Sequence, residues 1–203
     1  MIDVSIANLT LQKIGADDQL ADPDESSHVA RTLRASWDLI RKVCLRELTP
    51  TCAKRRIELP AREITALRPV IGFTNAYPLP AGFLRLLEVL SPWSARDDYR
   101  LIGDDQSAGG AEILADCTGA LGIEYVVDLV DPARWDALFL QSFADRLGCQ
   151  IADRITCDLG RVRRCQADYD AARKAAGGAD SKEQPPIETE DSSWITARSG
   201  GSC

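Results

Sequence analysis

The stretch from Asp131 to Asp158 constrains the fold more than any other part of this sequence. Its large apolar residues recur at steps of three or four, which is the spacing of one face of an α-helix. Asp131 can cap the free amides of the first turn, and Pro132 suits the first helical position because its missing N–H has no partner there. The pattern therefore predicts a long helix near 131–158, about 40 Å in length, around which the other helices pack. The apolar residues are Trp135, Leu138, Phe139, Phe143, Leu147, Ile151 and Ile155.

The same spacing predicts three further helices, at residues 4–14, 29–48 and 159–176. The first ends at Gly15, since glycine commonly terminates a helix. The second begins after Ser26 or Ser27, either of which can cap its first turn. Between these two helices, the acidic segment ADDQLADPDESS is predicted to be a solvated loop.

Short strands are predicted between the second and the long helix. Their β-branched and aromatic residues are separated by turns rich in Gly and Asp, so we expect a small antiparallel sheet of three or four strands. The fold class predicted is mainly α with a small β insertion (α+β). A helical domain at 1–178 holds the insertion at about 83–128, and an extended C-terminal tail follows at 179–203. The predicted strands are Phe83–Val89, Tyr99–Ile102, Glu112–Ala115 and Gly122–Asp128.

The segment between Leu48 and the first predicted strand has little regular pattern. Prolines at 50, 60 and 69 exclude a long helix. Lys54, Arg55 and Arg56 form the one basic triplet of this segment. Such a triplet is usually a solvated face or a partner for nearby carboxylates, and a nucleic-acid contact is the less favoured alternative.

The overall charge and hydrophobicity limit the classes of protein that the chain can belong to. With 203 residues, 45% of them hydrophobic, it can bury one good core. A formal net charge of −7 argues against a protein whose main task is to grip a phosphate backbone. No apolar run approaches the roughly 18 residues of a membrane span, and no secretory signal is visible, so the cytoplasm is the expected compartment.

Seven cysteines raise the question of a metal site or disulfides. No two of them are spaced as CxxC, and His28 is the sole histidine. We therefore predict buried, reduced thiols, with a structural metal or an occasional disulfide as the less favoured alternatives. No metal and no cofactor are expected.

Sequence motifs that indicate catalysis are missing. The sequence has no G-x-S-x-G element, dinucleotide-binding glycine pattern or P-loop. The acidic pairs at 17–18, 97–98 and 104–105 offer carboxylates for acid–base or metal chemistry. Each pair lies in a turn-rich region where acidic residues are common for conformational reasons, so an enzyme is not predicted.

The last part of the chain differs in composition from the rest. It is rich in Gly, Pro and acidic residues and should have no core of its own. Trp194, Ile195 and Arg198 stand out in it, because aromatic and arginine anchors are typical of binding surfaces. We predict that Ser193–Arg198 docks on a partner, the alternatives being a tail that packs on its own domain or stays free.

The order of these parts resembles the head-to-tail connector, or adaptor, proteins of tailed bacteriophages, particularly those similar to the tail tubular protein A of podoviruses. The resemblance covers nearly the whole chain, with most weight on the tyrosine–proline–leucine–proline stretch and the terminal serine–tryptophan element. One departure is TPTCAKRR at 49–56, where relatives often have an aromatic residue after the proline. The elements that carry the resemblance are NLTLQKIG, the acidic loop ending in serines, ARTLRASWDLIRKVCLREL, YPLPAGFLRLLEV, the strand before DPARWDALFLQSFADRLGCQIA, and DSSWITAR.

This resemblance implies a structural, non-enzymatic virion protein with a helical bundle and a small β insertion. It would bind the portal protein as a ring, commonly of twelve copies, and meet a downstream tail or stopper protein. DNA would pass through the channel without specific binding. The protein would reside in the neck of the virion, and in the host cytoplasm before assembly, of a phage, a prophage or a gene transfer agent.

The residues carried over from the resemblance are the docking residues Trp194, Ile195 and Arg198. Two alternatives stay open at this point. One is a cytoplasmic helical protein-interaction module, and the other is a small hydrolase that acts during infection.

Overall fold

The computed structural model describes residues 2–65, 69–90, 99–117, 119–156 and 158–183. Within these ranges the chain forms four α-helices and six β-strands. The helices are α1 (Val4–Lys13), α2 (His28–Leu48), α3 (Ala137–Thr156) and α4 (Leu159–Glu183). The strands are β1 (Lys54–Leu59), β2 (Asn75–Pro78), β3 (Phe83–Leu90), β4 (Tyr99–Gly103), β5 (Ala111–Ala115) and β6 (Leu121–Val127).

The predicted fold class, mainly α with one small sheet in a bundle around a long helix, is wrong. The described residues form an α+β fold with two three-stranded antiparallel sheets. One sheet has the strand order β1-β6-β3, and the other has the order β2-β5-β4. β1 and β2 were not predicted as strands, so the β part of the molecule was underestimated.

The physical reason lies in the positions of these two strands. Among the described strands, β1 and β2 are edge strands with one partner each, β6 and β5 respectively, and on the other side of β2 the Arg62 amide donates to the Ala76 carbonyl at 2.8 Å. An edge strand tolerates charge and proline, because only one row of its backbone groups must be paired within the sheet. The basic triplet of β1 and Pro78 at the end of β2 therefore concealed strands that long-range pairing stabilises.

The two sheets pack face to face around an apolar core. β3 serves both this core and the helical core, because register shifts follow Phe83 and Leu86 and change its side-chain period from two to three. Leu84 and Leu87 pack on the helical core, whereas Phe83, Leu86 and Val89 pack in the sandwich. The buried members of the sandwich core are Leu59, Tyr77, Leu79, Ile113, Ala115, Cys117, Leu121, Ile123 and Tyr125.

The helix predicted near 131–158 starts later than expected. Asp131 and Pro132 begin a single 3₁₀ turn, Pro132–Arg134, and Asp131 accepts a hydrogen bond from the Ala133 amide at 3.1 Å. Trp135 then adopts an extended backbone, and its buried indole donates to the Leu129 carbonyl at 3.0 Å. Asp136 caps the new start by accepting from the Phe139 amide at 2.7 Å. α3 packs against α1, α2 and α4.

The other predicted helices are present with similar limits. Asp3 caps α1, and Ser27, one of the two residues proposed for this role, caps α2 through the Ala30 amide at 3.1 Å. α4 continues to Glu183. The last five residues of α4 thus belong to the segment that was assigned to the extended tail.

The helical part and the β-sandwich meet at the C-terminal half of α2. Arg41 is 3% exposed, and its guanidinium donates to both carboxylate oxygens of Asp128, just after β6, at 2.9 and 3.1 Å. Nearby, Arg46 donates to the Leu84 carbonyl at 3.2 Å, while Arg85 donates to the Arg46 carbonyl at 3.0 Å. These charged and backbone contacts fix the sandwich against the end of α2.

Gly109 allows a close backbone approach in the sandwich. A Cβ at this position would lie 2.5 Å from the Pro80 carbonyl oxygen, a rigid backbone atom, and 2.9 Å from Leu79. We expect Gly109→Ala to lower the free energy of unfolding by about 1–3 kcal/mol, because the loop that contains Gly109 must move away from Leu79 and Pro80 to admit the methyl group. Urea unfolding measures this change.

Gly103→Ala is the matched control, since its added Cβ meets no atom within 4 Å. Its effect should stay within about 0.5 kcal/mol. Equal losses for the two substitutions would contradict the close approach at Gly109.

Candidate functional site

The docking residues that the sequence predicts, Trp194, Ile195 and Arg198, lie outside the described residues. In the described part of the chain, other side chains form the candidate binding surfaces. Two concave surfaces have the size and composition for this role. One lies between the two sheets, and the other lies beside the first turns of α2.

The first surface, the inter-sheet groove, runs between β3 of one sheet and β4 of the other. It encloses about 520 Å³, which is within the range of protein binding sites. Six of its ten lining residues have apolar side chains, two are arginines and two are glycines. The lining residues are Arg46, Phe83, Leu84, Arg85, Leu86, Leu101, Ile102, Gly103, Gly109 and Ala111.

Two arginines give the inter-sheet groove its charge. Arg46 and Arg85 are exposed, and their printed hydrogen bonds go to backbone carbonyls. Among the described residues, neither guanidinium has a carboxylate within ion-pair distance. Arg100, on β4, is exposed as well. The groove therefore combines apolar walls with positive charge that the described residues leave uncompensated.

β4 adds exposed apolar surface near this groove. Tyr99 and Leu101 are 44% and 45% exposed. Single exposed apolar residues are common, but here they occur on an edge strand next to a concave surface. Exposed edge strands with apolar side chains are typical sites for another chain to bind.

The second surface, the Trp37 cavity, is formed by Ile2, Pro23, Asp24, Arg34, Trp37 and Asp38 and encloses about 530 Å³. Trp37 is 1% exposed, and its indole N–H has no hydrogen-bond partner among the described residues. The charged groups of this cavity already have partners, since Arg34 donates to the Pro23 carbonyl at 2.9 Å and Asp38 pairs with Arg41.

The basic triplet is largely committed to contacts within the protein. Arg56 pairs with Glu124 at 2.5 Å, and Arg55 donates to the Cys52 carbonyl at 2.9 Å. Lys54 also has an interaction. Arg56 thus matches the reading of the triplet as a partner for nearby carboxylates, and the triplet is not a free basic patch.

The described cysteines Cys44, Cys52, Cys117, Cys149 and Cys165 are free thiols, as predicted, although Cys52 and Cys149 are only half-buried. Burial raises the pKa of Cys44 and the pKa of Cys149 to about 12 each, so both thiols stay protonated near neutral pH. Cys157 and Cys203 lie outside the described residues. Within the described ranges, no cluster of three or more His, Cys, Asp or Glu residues is arranged to hold a metal ion.

A part-buried polar contact links α2 and α4 close to these thiols. The Tyr169 hydroxyl donates to Glu47 at 2.7 Å, and the Arg146 guanidinium lies 5.2 Å from the centre of the Tyr169 ring. Burial, followed by the hydrogen bond to Glu47, raises the pKa of Tyr169. This arrangement joins α2, α3 and α4 and fixes α4 beside the end of α2.

The acidic pairs do not converge on one site. The pair at 17–18 follows α1, the pair at 104–105 lies between β4 and β5, and the pair at 97–98 is outside the described residues. Asp104 accepts a hydrogen bond from the Gln106 amide at 3.2 Å, which is a turn contact. His28 is exposed at the first position of α2.

In the part of the chain that the structure describes, no helix has the length and apolar content to cross a membrane. Comparison with protein families finds none that matches this chain. Comparison with curated proteins likewise finds no match.

Proposed function

We propose that this chain is a structural virion protein, a head-to-tail adaptor that binds the portal protein as a ring and extends the DNA channel toward the tail. The sequence elements that resemble this class of protein span nearly the whole chain. Trp194, Ile195 and Arg198 act as docking residues on the portal or on a neighbouring copy. The copies form a ring, commonly of twelve, and its free end receives a downstream tail or stopper protein.

The observation that supports this proposal most is a firm junction between the helical part and the β-sandwich, whose exposed surfaces differ in chemistry. The buried Arg41–Asp128 contact joins the helical part to the sandwich. On the helical part, Leu39 and Leu138 are 64% and 49% exposed, whereas the sandwich presents the basic inter-sheet groove. A ring of identical chains needs two different, complementary surfaces on each subunit. A firm junction holds such surfaces at a constant angle.

The charge of the chain is compatible with this role. A formal net charge of −7 opposes tight binding to phosphates, and a channel wall must let DNA slide. DNA therefore passes through the ring without specific contacts.

Assembly proceeds by binding alone. The chain is a soluble subunit before assembly, and its C-terminal segment orders when it binds. Ordering such a segment costs about 2–5 kcal/mol, which the interface must exceed. Weak association of the free subunits keeps rings from forming before the portal supplies a template.

Deletion of residues 185–203 tests the docking segment. We expect the shortened chain to keep its circular dichroism spectrum and unfolding midpoint, because α4 ends at Glu183. We expect it to lose attachment to portal-containing particles, measured by co-sedimentation. Trp194→Ala with Ile195→Ala should reproduce this loss, while the matched control Ser199→Ala with Ser202→Ala, outside both proposed contact segments, should attach normally. Normal attachment of the shortened chain would contradict docking through this segment.

A second candidate function is a protein-interaction module that recognises a single partner. The Trp37 cavity favours it, because its volume of about 530 Å³ and its mixed lining of apolar and charged residues suit a side chain of one partner. Electron microscopy of the chain mixed with its cognate portal protein separates the two functions. An adaptor forms rings on the portal, whereas an interaction module does not.

A further inference from the structure

The inter-sheet groove lies between two strand edges that remain open in the described part of the chain. β3 pairs only with β6, and β4 pairs only with β5, among the described strands. An open edge presents unpaired N–H and C=O groups to which an extended segment can add as a further strand. Gly103 in the lining lacks a side chain that would keep an incoming backbone away, and the space beside it is open, since a Cβ there would meet no atom within 4 Å.

The side chains that line the groove determine which kind of segment can bind there. Arg46 and Arg85 are not paired with carboxylates in the described residues, so they favour a segment with acidic side chains. Phe83, Leu86 and Leu101 favour apolar side chains on the same segment. The fitting occupant is thus an extended peptide that is both acidic and apolar.

A segment of this chain has that chemistry. The sequence Ile187–Asp191 alternates in the two-residue period of a strand, with Glu188 and Glu190 on one side and Ile187 and Thr189 on the other. Two prolines precede it and favour an extended backbone. Trp194 and Ile195 follow within a few residues and offer large apolar groups.

We propose that Ile187–Ile195 of one copy binds in the inter-sheet groove of a neighbouring copy, with Glu188 and Glu190 paired with Arg46 and Arg85. The inference rests on the proposed ring, for which it names the contact between neighbours. Trp194 and Ile195 cover the apolar wall formed by β3 and β4.

The geometry of α4 favours a neighbouring copy over the same chain as the source of the segment. Tyr169 contacts Glu47, the residue next to Arg46. From Tyr169 the helix runs fourteen residues further to Glu183, a distance of about 21 Å. The five residues from Glu183 to Glu188 span at most about 18 Å, which is less than the length of this helical stretch, so in the same chain Glu188 and Glu190 do not both return to the groove.

Charge reversal in the full-length chain tests this contact. The groove variant carries Arg46→Glu and Arg85→Glu, and the tail variant carries Glu188→Arg and Glu190→Arg. Sedimentation velocity of each purified variant at low salt measures self-association without the portal. We expect each variant alone to self-associate at least tenfold more weakly than the unchanged chain, because like charges then meet.

Mixing the two variants identifies the source of the segment. The unchanged tail of the groove variant meets the unchanged groove of the tail variant, and the two reversed partners also match. We therefore expect an equimolar mixture to restore association. The control, Arg31→Glu with Arg154→Glu, makes the same change in charge at exposed positions outside the groove and should associate normally.

Several results would overturn the proposal. If self-association is restored in a single chain that carries all four reversals but not in the mixture, the contact belongs to the chain's own tail. If self-association is lost in each variant and is restored neither in the mixture nor in the chain with all four reversals, Arg46 and Arg85 act only through their hydrogen bonds to backbone carbonyls. An unchanged chain that stays monomeric up to about 1 mM would exclude the contact between copies. Attachment to the portal, measured separately on the unchanged chain, decides the proposed function independently.

Discussion

Asp128→Ala is expected to lower the free energy of unfolding by about 3 kcal/mol, because it leaves the buried guanidinium of Arg41 without its main partner. Burial disfavours the charged form of Arg41, but the hydrogen bonds and the charge of Asp128 outweigh that effect and raise its pKa. The guanidinium therefore stays charged in the folded protein, and the cost of its burial is no longer offset. Urea unfolding followed by circular dichroism measures the loss.

Asp38→Ala is the matched control for this prediction. Asp38 also pairs with Arg41, but its side chain is 72% exposed, so its removal should cost less than about 1 kcal/mol. Replacing both members of the buried pair, as in Arg41→Met with Asp128→Leu, should recover most of the loss, since apolar packing can substitute for a buried ion pair. Similar losses for Asp128→Ala and Asp38→Ala would contradict a special role for the junction.

Trp37→Ala is expected to lower the free energy of unfolding by about 3–5 kcal/mol. Trp37 lies at the centre of the aromatic cluster of the helical core, with its ring centre 4.9 Å from that of Phe143 and 6.4 Å from that of Trp135. Truncation to alanine leaves a cavity between α2 and α3 that these rigid rings cannot fill. The midpoint of urea unfolding should fall, with little change in the slope of the transition.

Two further substitutions check the cause of this loss. Trp37→Phe should cost less than about 1.5 kcal/mol, because it keeps an aromatic ring and the lost N–H has no partner in the described residues. Leu39→Ala removes an apolar side chain from the exposed face of the same helix and should change stability by less than about 0.5 kcal/mol. A large loss for Trp37→Phe would mean that the indole makes a contact beyond its packing.

The helices were predictable from the sequence because each carries a local signal. The apolar spacing of α2 and its serine cap lie within one continuous stretch, so that no distant residue is needed to recognise them. The start of α3 shows the limit of this reasoning. Asp131 and Asp136 can each cap a helix, and the burial of Trp135, a tertiary contact, determines that the second one does so.

The sheets were less predictable because their strands depend on partners that are far away in the chain. β1 has charged residues at four of its six positions and pairs with β6, about seventy residues later. β3 shows a three-residue period because of its two register shifts, so its sequence does not reveal that it serves two cores. Because of these long-range effects, the structure has two sheets where the sequence predicts one.

The candidate site was only partly accessible from the sequence. Trp194, Ile195 and Arg198 were predicted from composition, and they lie outside the described residues. The inter-sheet groove was missed, because Arg46 and Arg85 are far apart in the sequence and belong to different elements. The sequence signal for such a groove is the acidic, alternating stretch at Ile187–Asp191, because a stretch of this kind favours a basic binding surface.

The central claim is that this chain functions by binding symmetrically to other proteins. Electron microscopy of the purified full-length chain, mixed with its cognate portal protein, tests the claim most directly. We expect rings of the chain on one end of the portal, coaxial with its channel. Portal particles that remain bare at saturating concentrations of the chain would contradict it.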